Sequence, residues 1–217
     1  EDSAAVGLNV KEQAYFENIV AFDHAKTSDE KELFLQRILN TRNSLNIQEL
    51  KKDQYTFFSN WYIPVIRELV TSDKYTGDPA WLADQIIPAI TVSKARKAVE
   101  LLESLGLIQQ DKATGHWHQT DSVISTPPEV HSIAVAKHTK SIFLLGKEAV
   151  DRFDASERDL RGITIGITKD AYPELKARFE SFWKELLAFG QKQQMVDQVF
   201  QINLGLFPVS KIDEEGK

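Results

Sequence analysis

Lys94, Arg96 and Lys97 fall within four positions, and Lys112 and His116 follow a short way on. Side chains of these types at this density can meet phosphates and base edges, and recognition helices contact DNA with their N-terminal end. The surrounding window tempers that reading. Across residues 91–125 the four Lys and Arg are matched by Glu100, Glu103, Asp111 and Asp121, so the window is neutral. A solvated helix face or a protein interface is the competing reading, because a DNA reader usually presents a clearer basic surface. His116 and His118 alternate and share a strand face, but no neighbouring residue supplies third and fourth ligands, so no metal site is expected. Asp23-His24, His131 and His138 define no triad by spacing. Gly162 and Gly166 flank Ile163 and Ile165 without the Lys and Ser or Thr of a phosphate loop. Glu157-Arg158-Asp159 reads as a turn held by local ion pairs or, alternatively, as a charged docking edge. No catalytic residue and no cofactor are expected, and the chain is read as a non-enzyme.

The elements that would carry these residues are clearest between Asn60 and Gln119. A helix from about Asn60 to Val70 carries Trp61, Val65, Ile66 and Leu69, with Pro64 near its first turn. Asp78-Pro79 supplies an N-cap and a first-turn proline for a short helix over 80–87. A turn leads to a third helix, Ser93 to Ser104, with apolar Ala95, Ala98, Val99, Leu101 and Leu102, ended by Gly106. Leu107-Ile108 opens one strand, Asp111 to Gly115 is a turn, and His116 to Gln119 returns as a second strand. Three helices and a β-hairpin in this order predict a winged helix-turn-helix domain. Nearby Tyr55, Phe57, Phe58, Trp61 and Tyr62 form a dense aromatic run suited to a core or to an interface hot spot.

Two amphipathic helices precede that unit. Val10 to Ala25 aligns Tyr15, Ile19 and Phe22, with Phe16 and Val20 beside them. Thr27 and Glu30 fit a capping box for a helix carrying Phe34, Leu35, Ile38 and Leu39. Such a pair cannot form a core alone and must pack on the rest of the chain, an upstream domain or a second copy. Beyond the hairpin, Val130 to Phe153 predicts a long helix. Ile163 to Thr168 alternates strictly, Asp170 opens a helix with a Leu175, Phe179, Phe182, Leu186, Phe189 stripe, and Phe200 to Leu206 alternates again. Strand, helix, strand predicts a β-α-β unit. The expected fold class is therefore α+β, mainly helical: residues 1–50 as a helical linker or packing segment, 51–126 as the winged-helix domain, and 127–217 as a C-terminal α/β interaction module. The tail from Asp213 is expected to fray.

Composition bounds the functional classes. The 217 residues hold 26 Lys and Arg against 32 Asp and Glu, a net charge of −6, with the first fifty residues the most acidic. Coating of nucleic acid or anionic membrane by bulk charge is thus disfavoured. The absence of cysteine rules out disulfide scaffolds, thiol nucleophiles and Cys-ligated zinc. No apolar run approaches the ~20 residues of a membrane span. A cytoplasmic location is expected. The first residues, Glu1 to Ala5, contain neither Met nor a signal-peptide pattern, which suggests a fragment or processed chain.

Several runs taken together carry a resemblance. Tyr55-Thr56-Phe57-Phe58-Ser59-Asn60-Trp61-Tyr62 and Ile66-Arg67-Glu68-Leu69-Val70 are followed by Asp78-Pro79-Ala80-Trp81-Leu82-Ala83, Ala98-Val99-Glu100-Leu101-Leu102 and Gly106-Leu107-Ile108. Glu157-Arg158-Asp159, Ile163-Thr164-Ile165, Phe200-Gln201-Ile202-Asn203-Leu204 and Phe207-Pro208 continue it. In this order they resemble a bacterial family defined by a domain of unknown function, whose members are often described as helix-turn-helix regulators. The resemblance implies a regulator-type architecture, with a repressor-like helix-turn-helix upstream of helices like those in residues 10–42. It implies no shared chemistry and carries over no catalytic or ligand residue. The functional expectation is a transcription-regulator-like protein in which this stretch supplies a winged-helix and an interaction or sensing module. A protein partner or self-association is expected, with DNA reached mainly through the upstream domain and no membrane involved. The alternative is an adaptor in a cytoplasmic signalling complex with no direct DNA binding.

Overall fold

A computed structural model describes residues 10–41, 53, 55–120, 128–193 and 196–211. Expectations placed on the side chains of Tyr15, Phe16, Leu39 and His131, on Asp121 and on the tail from Asp213 lie outside the described residues. The chain is mainly helical. Helices α1 (Val10–His24) and α2 (Ser28–Thr41) come first, then α3 (Tyr62–Leu69), α4 (Pro79–Gln85) and α5 (Val92–Ser104). The hairpin β1 (Ile108–Gln110) and β2 (Trp117–Gln119) follows, and then α6 (Pro128–Arg152) and α7 (Tyr172–Gln191), the latter entered through a 3-10 turn over Lys169–Ala171.

Local chemistry sets the boundaries. The Thr27 and Glu30 box closes reciprocally: Glu30 N–H donates to Thr27 Oγ1 at 3.2 Å, and Thr27 N–H donates to the Glu30 carboxylate at 3.1 Å. The backbone donors of Thr27 and Lys26 hold the Glu30 carboxyl below its ordinary pKa. Asp78 caps α4 by accepting from Ala80 N–H at 2.8 Å, with Pro79 in the first turn. Thr91 caps α5 by accepting from Lys94 N–H at 3.3 Å. At the other end of α5, Gly106 takes φ +66°, Gly106 N–H donates to Glu103 and Leu107 N–H donates to Leu102 at 2.8 Å. This is a Schellman closure, in which buried Leu107 and Leu102 make the accompanying apolar contact.

Ile63, Ile66 and Leu69 of α3, Leu82 and Ala83 of α4, and Ala95, Ala98, Val99 and Leu102 of α5 form the main core with Leu107 and Ile108 at the hairpin. The strands pair antiparallel with Gln109 opposite His118 and Gln110 opposite Trp117. Trp117 lies half-buried against this core, 6.1 Å from the Tyr75 ring, whereas His116 and His118 are exposed. Burial, reinforced by Glu103 and Asp78, pushes the Tyr75 phenol up to about 12. The hairpin is tied back to α3 by Gln119 Nε2 donating to Arg67 O at 3.1 Å and Arg67 donating to Thr120 O at 3.2 Å.

A second, smaller core joins Leu35 of α2, Tyr55, and Ile133 and Ala134 of α6, with Phe22 and Phe58 packed against it. The N-terminal pair therefore packs on the rest of the chain. Among the described side chains of α2, Leu35 is buried while Phe34 and Ile38 are half-buried; Ile19 and Val20 of α1 are exposed. Ion pairs Glu32–Lys137 and Asp29–Lys140 staple α2 to α6, the second at 2.7 Å.

The expected β-α-β unit is not formed. Among the described residues the only sheet is the β1–β2 hairpin; neither 163–168 nor 200–206 is a strand, and α7 buries no residue. The alternation in these runs is real in sequence, but a strand exists only where a partner supplies its ladder, and here the two runs do not pair. Gly190, which the sequence suggests as the end of α7, falls inside the last turn of that helix.

Candidate functional site

The α5 helix divides cleanly into two faces. Ala95, Ala98, Val99 and Leu102 are buried, while Ser93, Lys94, Arg96, Lys97, Glu100 and Glu103 are exposed. This division follows from the 3.6-residue period: once the apolar stripe is fixed against α3 and α4, the charged positions are left facing solvent. Lys94 leans its ammonium over the Tyr62 ring, 5.9 Å from the centroid, a cation–π contact between α5 and α3. None of the ion pairs among the described residues engages Lys94, Arg96, Lys97 or Lys112.

Lys112 and His116 sit, exposed, on the hairpin tip. The tip is held by its own backbone. Asp111 Oδ1 accepts from Ala113 N–H at 2.7 Å and Thr114 N–H at 3.2 Å, and Gly115 closes the turn at φ +76°. Those two backbone donors keep the Asp111 carboxyl below its ordinary pKa. The structure thus places the five sequence-nominated residues in two groups, three on the α5 helix and two on the hairpin tip, carried by elements that share one core. Glu100 and Glu103 stand exposed on the same helix, so the face is of mixed sign.

The other nominated groups do not converge. Among the described residues no three His, Asp or Glu side chains gather as a metal-ligand group. His138 is half-buried on α6, and burial lowers its pKa below the ordinary 6.5. Glu157 and Arg158 build a local turn: Asp154 N–H donates to Glu157, and Arg158 Nε donates to Phe153 O at 2.9 Å. Asp159 pairs through both oxygens with Arg161, each at 2.7 Å. The aromatic run is divided between the cores, with Phe57, Trp61 and Tyr62 against the first and Tyr55 and Phe58 in the second.

One contact escaped the sequence reading. Asn203 donates its side-chain amide to Ile142 O of α6 at 2.6 Å. Gly146 and Gly205 make that approach possible. A Cβ at Gly146 would lie 2.9 Å from Asn203 Nδ2, and one at Gly205 2.9 Å from Phe143 Cζ. The signal was a glycine inside a long helix, which costs helix stability and so marks a close approach.

The structure is an α+β chain, mainly helical, built around a three-helix core with a small hairpin. Over residues 41–209 the sequence matches the family described as domain of unknown function (DUF4423), and the chain belongs to that family. No curated protein and no solved structure matches it. No helix among the described residues is long and apolar enough to cross a membrane.

Proposed function

We propose that residues 62–119 act as a winged helix-turn-helix module of a transcription-regulator-like protein, with α5 as its contact helix and the 111–116 hairpin tip as its wing. One observation carries this reading: the buried face of α5 fixes the helix on the core and turns Lys94, Arg96 and Lys97 outward, near a capped N-terminus. Duplex DNA is the ligand such a face would take, through phosphate contacts first and base edges second.

Fluorescence anisotropy with a 20-base-pair duplex across a salt series tests it. Affinity should fall with a log–log slope of about −0.9 per phosphate neutralised. Replacing Lys94, Arg96 or Lys97 singly by Ala should reduce that slope by about 1, and the triple change to Glu should abolish binding. Absence of binding at low salt, or binding that survives the triple change, overturns the reading.

A second reading has its own support. Glu100 and Glu103 share the exposed face with the three cations, which suits a protein partner of mixed charge better than a polyanion. A chain that ignores duplex DNA yet retains a protein partner, lost on charge reversal at Lys94, Arg96 and Lys97, favours this adaptor role.

A further inference from the structure

The C-terminal third of the chain exposes what a folded chain ordinarily covers. Ile163 is 85% exposed, and Ile165 and Ile167 are also exposed. Among the described residues, 160–167 make no backbone–backbone hydrogen bond, and neither do 200–207. The second run is seated the wrong way round for a monomer. Asn203 and Gly205 lie on α6 and Leu204 is half-buried, while Phe200, at 70% exposure, Ile202, Leu206 and Phe207 are exposed. The α7 helix between them only half-buries Leu175, Phe179 and Leu186 and leaves Phe182, Trp183, Leu187 and Phe189 exposed. A helix draws most of its stability from packing an apolar face, so α7 calls for a cover.

The chemistry of the two runs says what the cover is. Residues 162–168 and 198–208 hold no charged side chain. Strand edges that stay free in solution are guarded by Lys, Pro or inward charges, and these runs lack such guards within 163–168 and 200–206. They are built to be paired. Within one chain they do not meet as a ladder, and both are open at once. A second copy related by a two-fold axis fills both together, because each open run of one copy then meets the other run of its partner. The charges on α7 permit this: Lys176, Arg178 and Lys184 balance Glu174, Glu180 and Glu185, so two copies do not repel there. The area is also sufficient. At roughly 150–250 Å² per aromatic side chain, the exposed parts of Phe182, Trp183, Phe189, Phe200 and Phe207 come to about 600 Å², before any isoleucine or leucine is counted. A standard interface takes about 800 Å² per partner.

We propose that the chain forms a two-fold homodimer in which residues 163–168 of each copy add as a strand beside residues 200–206 of the other, with the apolar residues of α7 closing over the pair. This does not depend on DNA reading, and its test reads mass and cross-links with no DNA present, so the two proposals fail separately.

Sedimentation or light scattering on the 217-residue chain should give twice the 24.6 kDa of one copy. Ile165→Lys and Ile202→Lys, with far-UV helix signal retained, should each raise the dissociation constant about 30-fold or more, the effect of a central interface residue. Because the chain has no cysteine, Ile165→Cys and Ile202→Cys can be made in separately tagged copies. Mixed and oxidised, they should yield a disulfide-linked pair carrying both tags. A monomeric wild-type chain overturns the proposal. So does a mixture of the two Cys copies that yields no disulfide carrying both tags, or a dimer that survives both Lys changes.

Discussion

The rings of Phe57 and Phe58 stand edge to face, 5.0 Å apart at 87°, and each belongs to a different core. Phe57 packs on the α3–α4–α5 unit, and Phe58 packs on the cluster of Leu35, Tyr55, Ile133 and Ala134. This aromatic pair is therefore a mechanical link between the N-terminal helices with α6 and the hairpin-bearing unit. Edge-to-face pairs add about 0.5–1.5 kcal/mol beyond area burial. Phe58→Ala is expected to loosen the second core while leaving the first intact. Trp61, Trp81 and Trp117 all lie against the first core, so tryptophan fluorescence follows mainly that unit, while far-UV circular dichroism follows every helix. In urea the variant should lose ellipticity before fluorescence changes. Coincident transitions in the variant would show that the cores do not unfold separately.

The hairpin-bearing unit depends on Leu102 more than on any cap. Leu102 is 0% exposed and sits where α5, the Schellman turn and the hairpin meet. Leu102→Ala should cost about 2–5 kcal/mol through lost burial and the cavity left behind. Asp78→Ala removes one cap bond at an exposed helix start and should cost about 1 kcal/mol. Urea midpoints at unchanged slope check the ranking. If Asp78→Ala proves the more damaging, the core assigned here is wrong.

Helices and hairpin between residues 62 and 119 were legible in the sequence because most boundaries carry a local signal, although Trp61 gives α3 no side-chain cap. Asp78-Pro79 starts α4, Gly106 ends α5, and Asp111 with Gly115 builds the turn; the Thr91 cap was not read, and α5 begins at Val92 rather than the expected Ser93. The exposure of Lys94, Arg96 and Lys97 was legible for the same reason, since the helix phase fixes it. Their ligand was not, because mixed charge on one face is compatible with more than one partner. The β-α-β expectation failed at 163–168 and 200–206 because alternation specifies which side chains share a face, while pairing depends on a segment distant in sequence or in another copy. Asn203 reaching Ile142 was illegible for that reason too; only Gly146 hinted that something approaches α6 closely.

Acid should weaken the fold through His138 before it acts on the carboxylates. Burial lowers the His138 pKa below its ordinary 6.5, and no described group hydrogen-bonds its Nδ1. The unfolded chain therefore binds this proton more readily than the folded one. Stability from this group is full above about pH 6.5 and falls as pH drops through the folded pKa. Glu30, whose pKa lies below the ordinary 4.5, contributes its loss only at lower pH. Urea midpoints measured from pH 7.5 to 5.5 should decline for the wild type and flatten in His138→Gln. An unchanged decline in the variant would place the acid sensitivity elsewhere.

Gly146 and Asn203 should be thermodynamically coupled, with a sign that can be worked out. Alanine inside a helix is favoured over glycine by about 1 kcal/mol. At Gly146 its Cβ would stand 2.9 Å from Asn203 Nδ2 and drive that amide from Ile142 O, forfeiting a hydrogen bond worth about 1 kcal/mol. Gly146→Ala alone should thus sit within about 0.5 kcal/mol of wild type, the two terms offsetting. Asn203→Ala alone should cost about 1 kcal/mol. In the double variant the clash is gone and the helical gain remains, so its stability should return to near wild type, about 1 kcal/mol above the sum of the single changes. Strict additivity in the urea cycle would mean that the 196–211 segment does not lie on α6 in solution, and would remove the seating that turns Phe200 and Ile202 outward.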